Sequence, residues 1–153
     1  MPPMAGILVE TIIRILDRFT PSATPTQHLE TGTRGEDEAY FFLRRRGYQV
    51  VARNWRPIRG KGEIDLVAWD HDILCFVEVK TRTSRKVKPA EAAVDDRKRQ
   101  MLHRTAGQYM RRLRSRPRFR YDVVSVYFSD AGTLQDIEHF QGAFSGSNLA
   151  HSF

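Results

Sequence analysis

One cysteine, Cys75, stands in 153 residues. A lone thiol makes no internal disulfide and no multi-cysteine zinc knuckle, and it fits a reducing compartment such as the cytoplasm. No long apolar run offers a membrane span. Met1-Pro-Pro-Met4 lacks the basic start of a signal peptide, and Glu10 and Arg14 interrupt the apolar stretch behind it. The five histidines (28, 71, 103, 139 and 151) show neither H-x-H nor H-E-x-x-H spacing, so a zinc site has no motif. G-x-x-x-x-G-K-[ST] and G-x-G-x-x-G are also missing, which removes the motif support for nucleotide hydrolysis and dinucleotide binding. From residue 121 to the end there is no lysine or arginine at all.

The basic residues lie just before that point. The chain carries 25 Lys+Arg against 18 Asp+Glu, a net +7, but residues 81–120 hold 14 of the bases and only three acids. A field of that sign and density attracts a polyanion, whereas the bland alternative is a solvated basic helix. With 41% hydrophobic and 28% charged residues, the length suits one soluble domain.

Periodicity places the elements. Leu8, Ile12, Ile15, Leu16 and Phe19 form one face of an amphipathic helix over residues 5–19, and the Pro- and Thr-rich stretch 20–32 reads as a linker. One folded domain is expected over 32–144, with a flexible tail over 145–153. Thr33 and Glu36 match a capping box that opens a helix, Ala39, Tyr40 and Leu43 give it an apolar face, and Gly47 stops it. Strand-like runs follow at Tyr48–Trp55, Glu63–Trp69 and Leu74–Lys80. The third is apolar on both faces and belongs in the middle of a sheet. Asp95 is the expected cap of a helix reaching Arg114. Its buried stripe is Leu102, Ala106, Tyr109 and Leu113, and Arg97, Arg104 and Arg111 recur on another face. Phe119–Phe128 reads as the last strand, with Phe140 and Phe144 of the tail docking back. The sum is an α/β domain with a mixed sheet between helices.

The chemistry concentrates on one hairpin. A tight turn at His71-Asp72 pairs residues whose numbers sum to 143, which sets Asp65 opposite Glu78 and Glu63 opposite Lys80. Two carboxylates brought together among apolar neighbours need a cation or a shared proton. Carboxylates completed by waters and a substrate phosphate describe a Mg²⁺ site, and Mn²⁺ takes the same ligands. Lys80 emerges on the Glu78 face, where an ammonium offsets charge on a phosphate. The competing reading is a solvent-exposed hairpin end with Glu63–Lys80 as a surface pair. Glu36 likewise has two readings: it serves the helix as a cap, or it aims its carboxylate at the sheet from the Ala39–Leu43 face.

The residues Gly32-x-x-Gly35-Glu36-x-x-Ala39, Arg53-Asn54, Gly62-Glu-Ile-Asp-Leu66, Phe76-Val-Glu-Val-Lys-Thr-Arg82, Lys98 and Phe119-Arg-Tyr-Asp-Val-Val124 resemble the YraN-like family. That family is grouped with the PD-(D/E)xK nucleases and the Holliday-junction resolvases. The resemblance spans about residues 32–144. It implies a restriction-endonuclease-like αβββαβ core. It also implies metal ligation by Asp65, Glu78 and the main-chain carbonyl of Val79, catalysis by Lys80 with Glu36 brought in by the helix, and phosphate contact by Arg82 and Lys98. Ile64 stands where the superfamily commonly has proline.

The leading expectation is a Mg²⁺- or Mn²⁺-dependent endonuclease acting on DNA, on branched or damaged structures, with Arg97, Arg104, Arg111 and the alternating arginines at 112–120 tracking the backbone. A homodimer is the fair guess, since resolvases that cut two strands act as dimers. Two other readings stay open. One is a non-catalytic nucleic-acid-binding module, and the other is an adaptor whose N-terminal helix recruits a DNA-processing complex.

Overall fold

The computed structural model describes residues 25–83 and 96–144. The expected helix over 5–19, the turn before Asp95, Asp95 itself and the tail over 145–153 lie outside the described residues. Among the described residues no helix is long and apolar enough to cross a membrane.

The first helix, α1 (Pro25–Arg45), starts eight residues before the expected capping box. Proline suits a first helical position, because its missing N–H is one the helix would leave unpaired there. Residues 25–32, expected as linker, are therefore helical, and Thr33 and Glu36 sit inside the helix instead of capping it. The stop is as expected. Gly47 adopts φ +88°, its amide donates to the Arg44 carbonyl at 3.0 Å, and the Tyr48 amide donates to the Leu43 carbonyl at 3.1 Å. Those two bonds satisfy carbonyls the helix end would orphan, and Leu43 and Tyr48 then pack together in the core.

Strands β1 (Gln49–Trp55), β2 (Ile64–Asp70) and β3 (Ile73–Arg82) form an antiparallel meander. The crossover helix α2 (Asp96–Met110) then leads into β4 (Arg118–Phe128), which runs parallel to β3. α2 ends at Met110, four residues short of the expected Arg114. The stretch expected as a docking tail is instead a fifth strand, β5 (Leu134–Phe144), antiparallel to β4. Its turn closes through the Ser129 amide donating to the Thr133 carbonyl at 2.8 Å, with Gly132 at φ +78°.

The sheet order β1-β2-β3-β4-β5 leaves β3 central, as its two apolar faces require. α1 covers one face, where Ala39 and Leu43 meet Leu66, Ala68, Val77, Val124 and Phe128. α2 covers the other, where Leu102 and Ala106 meet Val67, Leu74, Phe76 and Tyr121. Each fully buried Leu or Phe contributes about 1.5–3 kcal/mol. The result is the expected mixed α/β layering, with one more strand than foreseen.

Candidate active site

The β2–β3 ladder runs from Asp70↔Ile73 to Leu66↔Val77, the register the turn dictates. His71 makes that turn at φ +55°, with its Nδ1 3.0 Å from Asp70 Oδ1. One step beyond Leu66 the paired ladder ends. Asp65 uses its side chain there, accepting a 2.7 Å hydrogen bond from the Val79 amide. Glu78 and Lys80 follow on β3, with Lys80 Nζ 3.4 Å from Glu78 Oε1 and both side chains largely buried (14% and 16% exposed). The competing reading pairs Lys80 with Glu63 at the surface. Glu63 instead accepts from Arg56 at 2.7 Å.

The electrostatics are unbalanced at Asp65. Burial pushes its carboxyl up to about 7, the charge of Glu78 adds to this, the Val79 amide offsets part, and Glu36 and Glu63 push further. Glu36 adds a smaller charge effect on Asp65 from α1, and it lies inside the helix rather than at a cap. Gly35 makes that approach possible. A Cβ there would sit 1.9 Å from Thr81 Oγ1 and 3.0 Å from Thr81 Cβ, so only glycine lets α1 lie this close to β3. On the other side Gly62, at φ +124°, presses equally close to Thr105 of α2, whose hydroxyl is committed to the Met101 carbonyl at 2.7 Å.

Asp65 and Glu78, whose charges act on each other beside a single Lys80, are the side chains that could hold a hard divalent cation. No group of three or more His, Cys, Asp or Glu side chains stands at metal-holding spacing among the described residues.

Of the expected phosphate contacts, Arg97, Arg104 and Arg111 are exposed along and just beyond α2. Arg82 is half-buried at the end of β3, on the Lys80 face by strand alternation. The side chain of Lys98 lies outside the described set. Of the alternating arginines, Arg120 is largely buried among carboxylates, whereas Arg118 stays exposed in a surface ion pair. Arg118 pairs with Asp72, and Arg120 is held by Asp70 at 2.8 Å and Asp122 at 2.9 Å.

A feature absent from the sequence reading is a polar row across three strands, Lys80↔Ser125↔Glu138. Ser125 is fully buried with no hydrogen-bond partner for its Oγ among the described residues, and Tyr127 Oη donates to Glu138 Oε2 at 2.8 Å. The signal was the lone serine inside the apolar run Val123–Phe128.

Cys75, expected as core, is buried, and burial pushes its thiol up to about 12, which keeps it protonated and unreactive.

Comparison with known proteins agrees with the family reading. Residues 35–126 match the model of the uncharacterised protein family UPF0102. A UPF0102 protein of Koribacter versatilis is 48% identical over 121 residues, covering 79% of this chain and 85% of its own length. One from Solibacter usitatus is 43% identical over 138 residues, 90% of this chain and 100% of the relative. One from Porphyromonas gingivalis is 41% identical over 117 residues, 76% and 85%.

Proposed function

This chain belongs to the uncharacterised protein family UPF0102, a name that carries no activity, and from its site we propose a metal-dependent endonuclease of PD-(D/E)xK type that hydrolyses phosphodiester bonds of DNA. The observation that carries the reading is Asp65: a half-buried carboxylate under the charge of Glu78 and Glu36, on strands that also present Lys80. A protein keeps such a cluster where charge repulsion serves chemistry.

Asp65, Glu78 and the Val79 carbonyl would hold Mg²⁺ or Mn²⁺, which supplies Lewis-acid polarisation of the scissile phosphate and a lowered pKa for the attacking water. The Val79 amide fixes the Asp65 carboxylate, so one oxygen is oriented before substrate arrives. Lys80, kept beside Glu78, faces the charge that grows on the phosphate and holds the water that attacks it. Glu36 adds its negative charge from the α1 side, tightening the preference for a cation. Arg97, Arg104 and Arg111 neutralise flanking phosphates, giving salt-dependent binding largely blind to sequence. Branched or damaged DNA in the cytoplasm, met by a homodimer, is the substrate class within this proposal.

The test is a titration of Mg²⁺ or Mn²⁺ into linear, nicked, flapped and four-way DNA, with Asp65→Ala as the blank. Metal-dependent cleavage lost in the variant supports the nuclease. Binding of wild type without turnover in any arm replaces it with the non-catalytic module.

A further inference from the structure

The connection from α2 to β4, of which only Arg111 was given a role above, borders a cavity of about 480 Å³, within the size range of ligand pockets. Met110 and Leu113 line it with apolar surface, and Phe119 and Tyr121 line it with aromatic surface. The Phe119 ring stands edge-on to Tyr121 at 5.8 Å and lies 6.0 Å from Phe76, while 40% of the residue stays exposed. Tyr121 is held in turn by His103, whose Nδ1 lies 2.8 Å from its Oη. Tyr121 is thus a buried support, and Phe119 is the partly exposed aromatic residue of the lining.

Charge says what could cover it. Arg111, Arg114 and Arg116 also line the cavity, and no acidic residue does. Arg118 and Arg120 nearby are neutralised by Asp72, Asp70 and Asp122, but these three arginines enter no ion pair among the described residues. An apolar slot with an aromatic wall and arginines on it matches a flat ring tethered to anions. A nucleobase with its flanking phosphates is that ligand, and a paired duplex does not offer one.

We propose that this cavity is a nucleobase subsite, which captures one unstacked base of a single-stranded segment against Phe119 while Arg114 and Arg116 take the neighbouring phosphates. The position fits the candidate active site, and the inference rests on the nuclease reading for that placement. Phe119 is level with Leu74 on β3, four residues before Glu78 on the same face of the strand. At ~3.3 Å per residue that is about 13 Å, the span of roughly four nucleotides of a stacked strand. A base seated here would hold a single-stranded flank in register with the bond to be cut, which favours flaps and junction arms over plain duplex.

The experiment measures equilibrium binding of the full chain to a short labelled single-stranded DNA and to the same strand built with abasic sites, by fluorescence anisotropy in EDTA so that nothing is cut. Wild type should bind the intact strand about tenfold more tightly than the abasic one. Phe119→Ala should lose that factor on the intact strand and nothing further on the abasic strand, and Phe119→Trp should restore it. The pair Arg114→Gln and Arg116→Gln should weaken both strands and flatten the salt dependence. Equal binding of the two strands by wild type, no binding of either, or an equal loss on both in Phe119→Ala overturns the subsite. Base discrimination without metal-dependent cleavage would sink the nuclease and leave the subsite standing. Cleavage without discrimination would do the reverse.

Discussion

Two aspartates, one fully buried and one half-buried, stand on opposite faces of the same sheet and experience opposite fields. Asp122 is fully buried under α1, yet its carboxyl is held below the usual range: burial pushes it up, but hydrogen bonds from His139, Arg120 and the Gly142 amide outweigh that. His139 Nε2, Arg120 Nε and the Gly142 amide each sit 2.9 Å from it. Arg120 continues the network to Tyr48 and Asp70, and Gln141 closes it on Tyr48 Oη at 2.6 Å. Asp65, one register step away along the sheet and on the other face, has one amide donor and acidic neighbours, and it is pushed up to about 7. A buried charge whose acceptors are satisfied stabilises a fold, whereas one left crowded by like charges stores repulsion that a ligand can relieve. Burial alone would have ranked Asp122 as the functional residue, and the partners reverse that order.

The comparison breaks most sharply by mutation of each side in turn. Asp65→Ala and Lys80→Ala should each cut DNA hydrolysis about a thousandfold or more while DNA binding persists, whereas Asp122→Asn should change the turnover of folded protein only a few-fold. Single-turnover cleavage alongside anisotropy binding checks both halves.

Stability should show the mirror image. Removing the Asp122 carboxylate leaves Arg120 buried beside a lost partner, so Asp122→Ala should cost about 3–5 kcal/mol in urea unfolding.

The pH dependence then separates the two carboxylates by sign. The Asp65 carboxyl is raised in the fold, so the folded state holds a proton that the unfolded chain has released. Its contribution is present at acid pH and is lost as pH rises toward about 7, by at most ~4 kcal/mol. Asp65→Asn should therefore stabilise the metal-free protein above neutral pH and flatten that slope. For Asp122 the sign reverses, with stability present above the ordinary carboxylate value and lost as acid protonates it. Urea unfolding across pH distinguishes the two.

Gly35→Ala tests how α1 reaches the site. The new Cβ meets the whole Thr81 side chain, including Cγ2 at 3.2 Å, so rotating the hydroxyl away gives no relief. About 1–3 kcal/mol should be lost, with a fall in cleavage as Glu36 is displaced.

Local signals carried the site. The Asp70-His-Asp72 turn fixed the register, the apolar run Leu74–Val77 fixed β3 as the central strand, and spacing along β3 put Glu78 and Lys80 on one face. Two segments misread because composition competes with context there. Thr and Gly among residues 25–32 look like linker although a helix passes through them, and β5 hides its strand behind Gly142 and edge-strand polarity. The Asp122 network was not legible at all, since Tyr48, Asp70, Asp122 and His139 meet only after the sheet is assembled. Ser125 and Glu138 share that cause, as their neighbour Lys80 is a parallel-register partner across a crossover.

Mn²⁺ binding to the purified protein, followed by electron paramagnetic resonance without DNA, probes the relief of the Asp65 repulsion directly. Saturable binding by wild type and by Asp122→Asn, lost in Asp65→Asn, is the expected result. Equal uptake of Mn²⁺ by wild type and Asp65→Asn, or none by either, would contradict a cation site at these carboxylates.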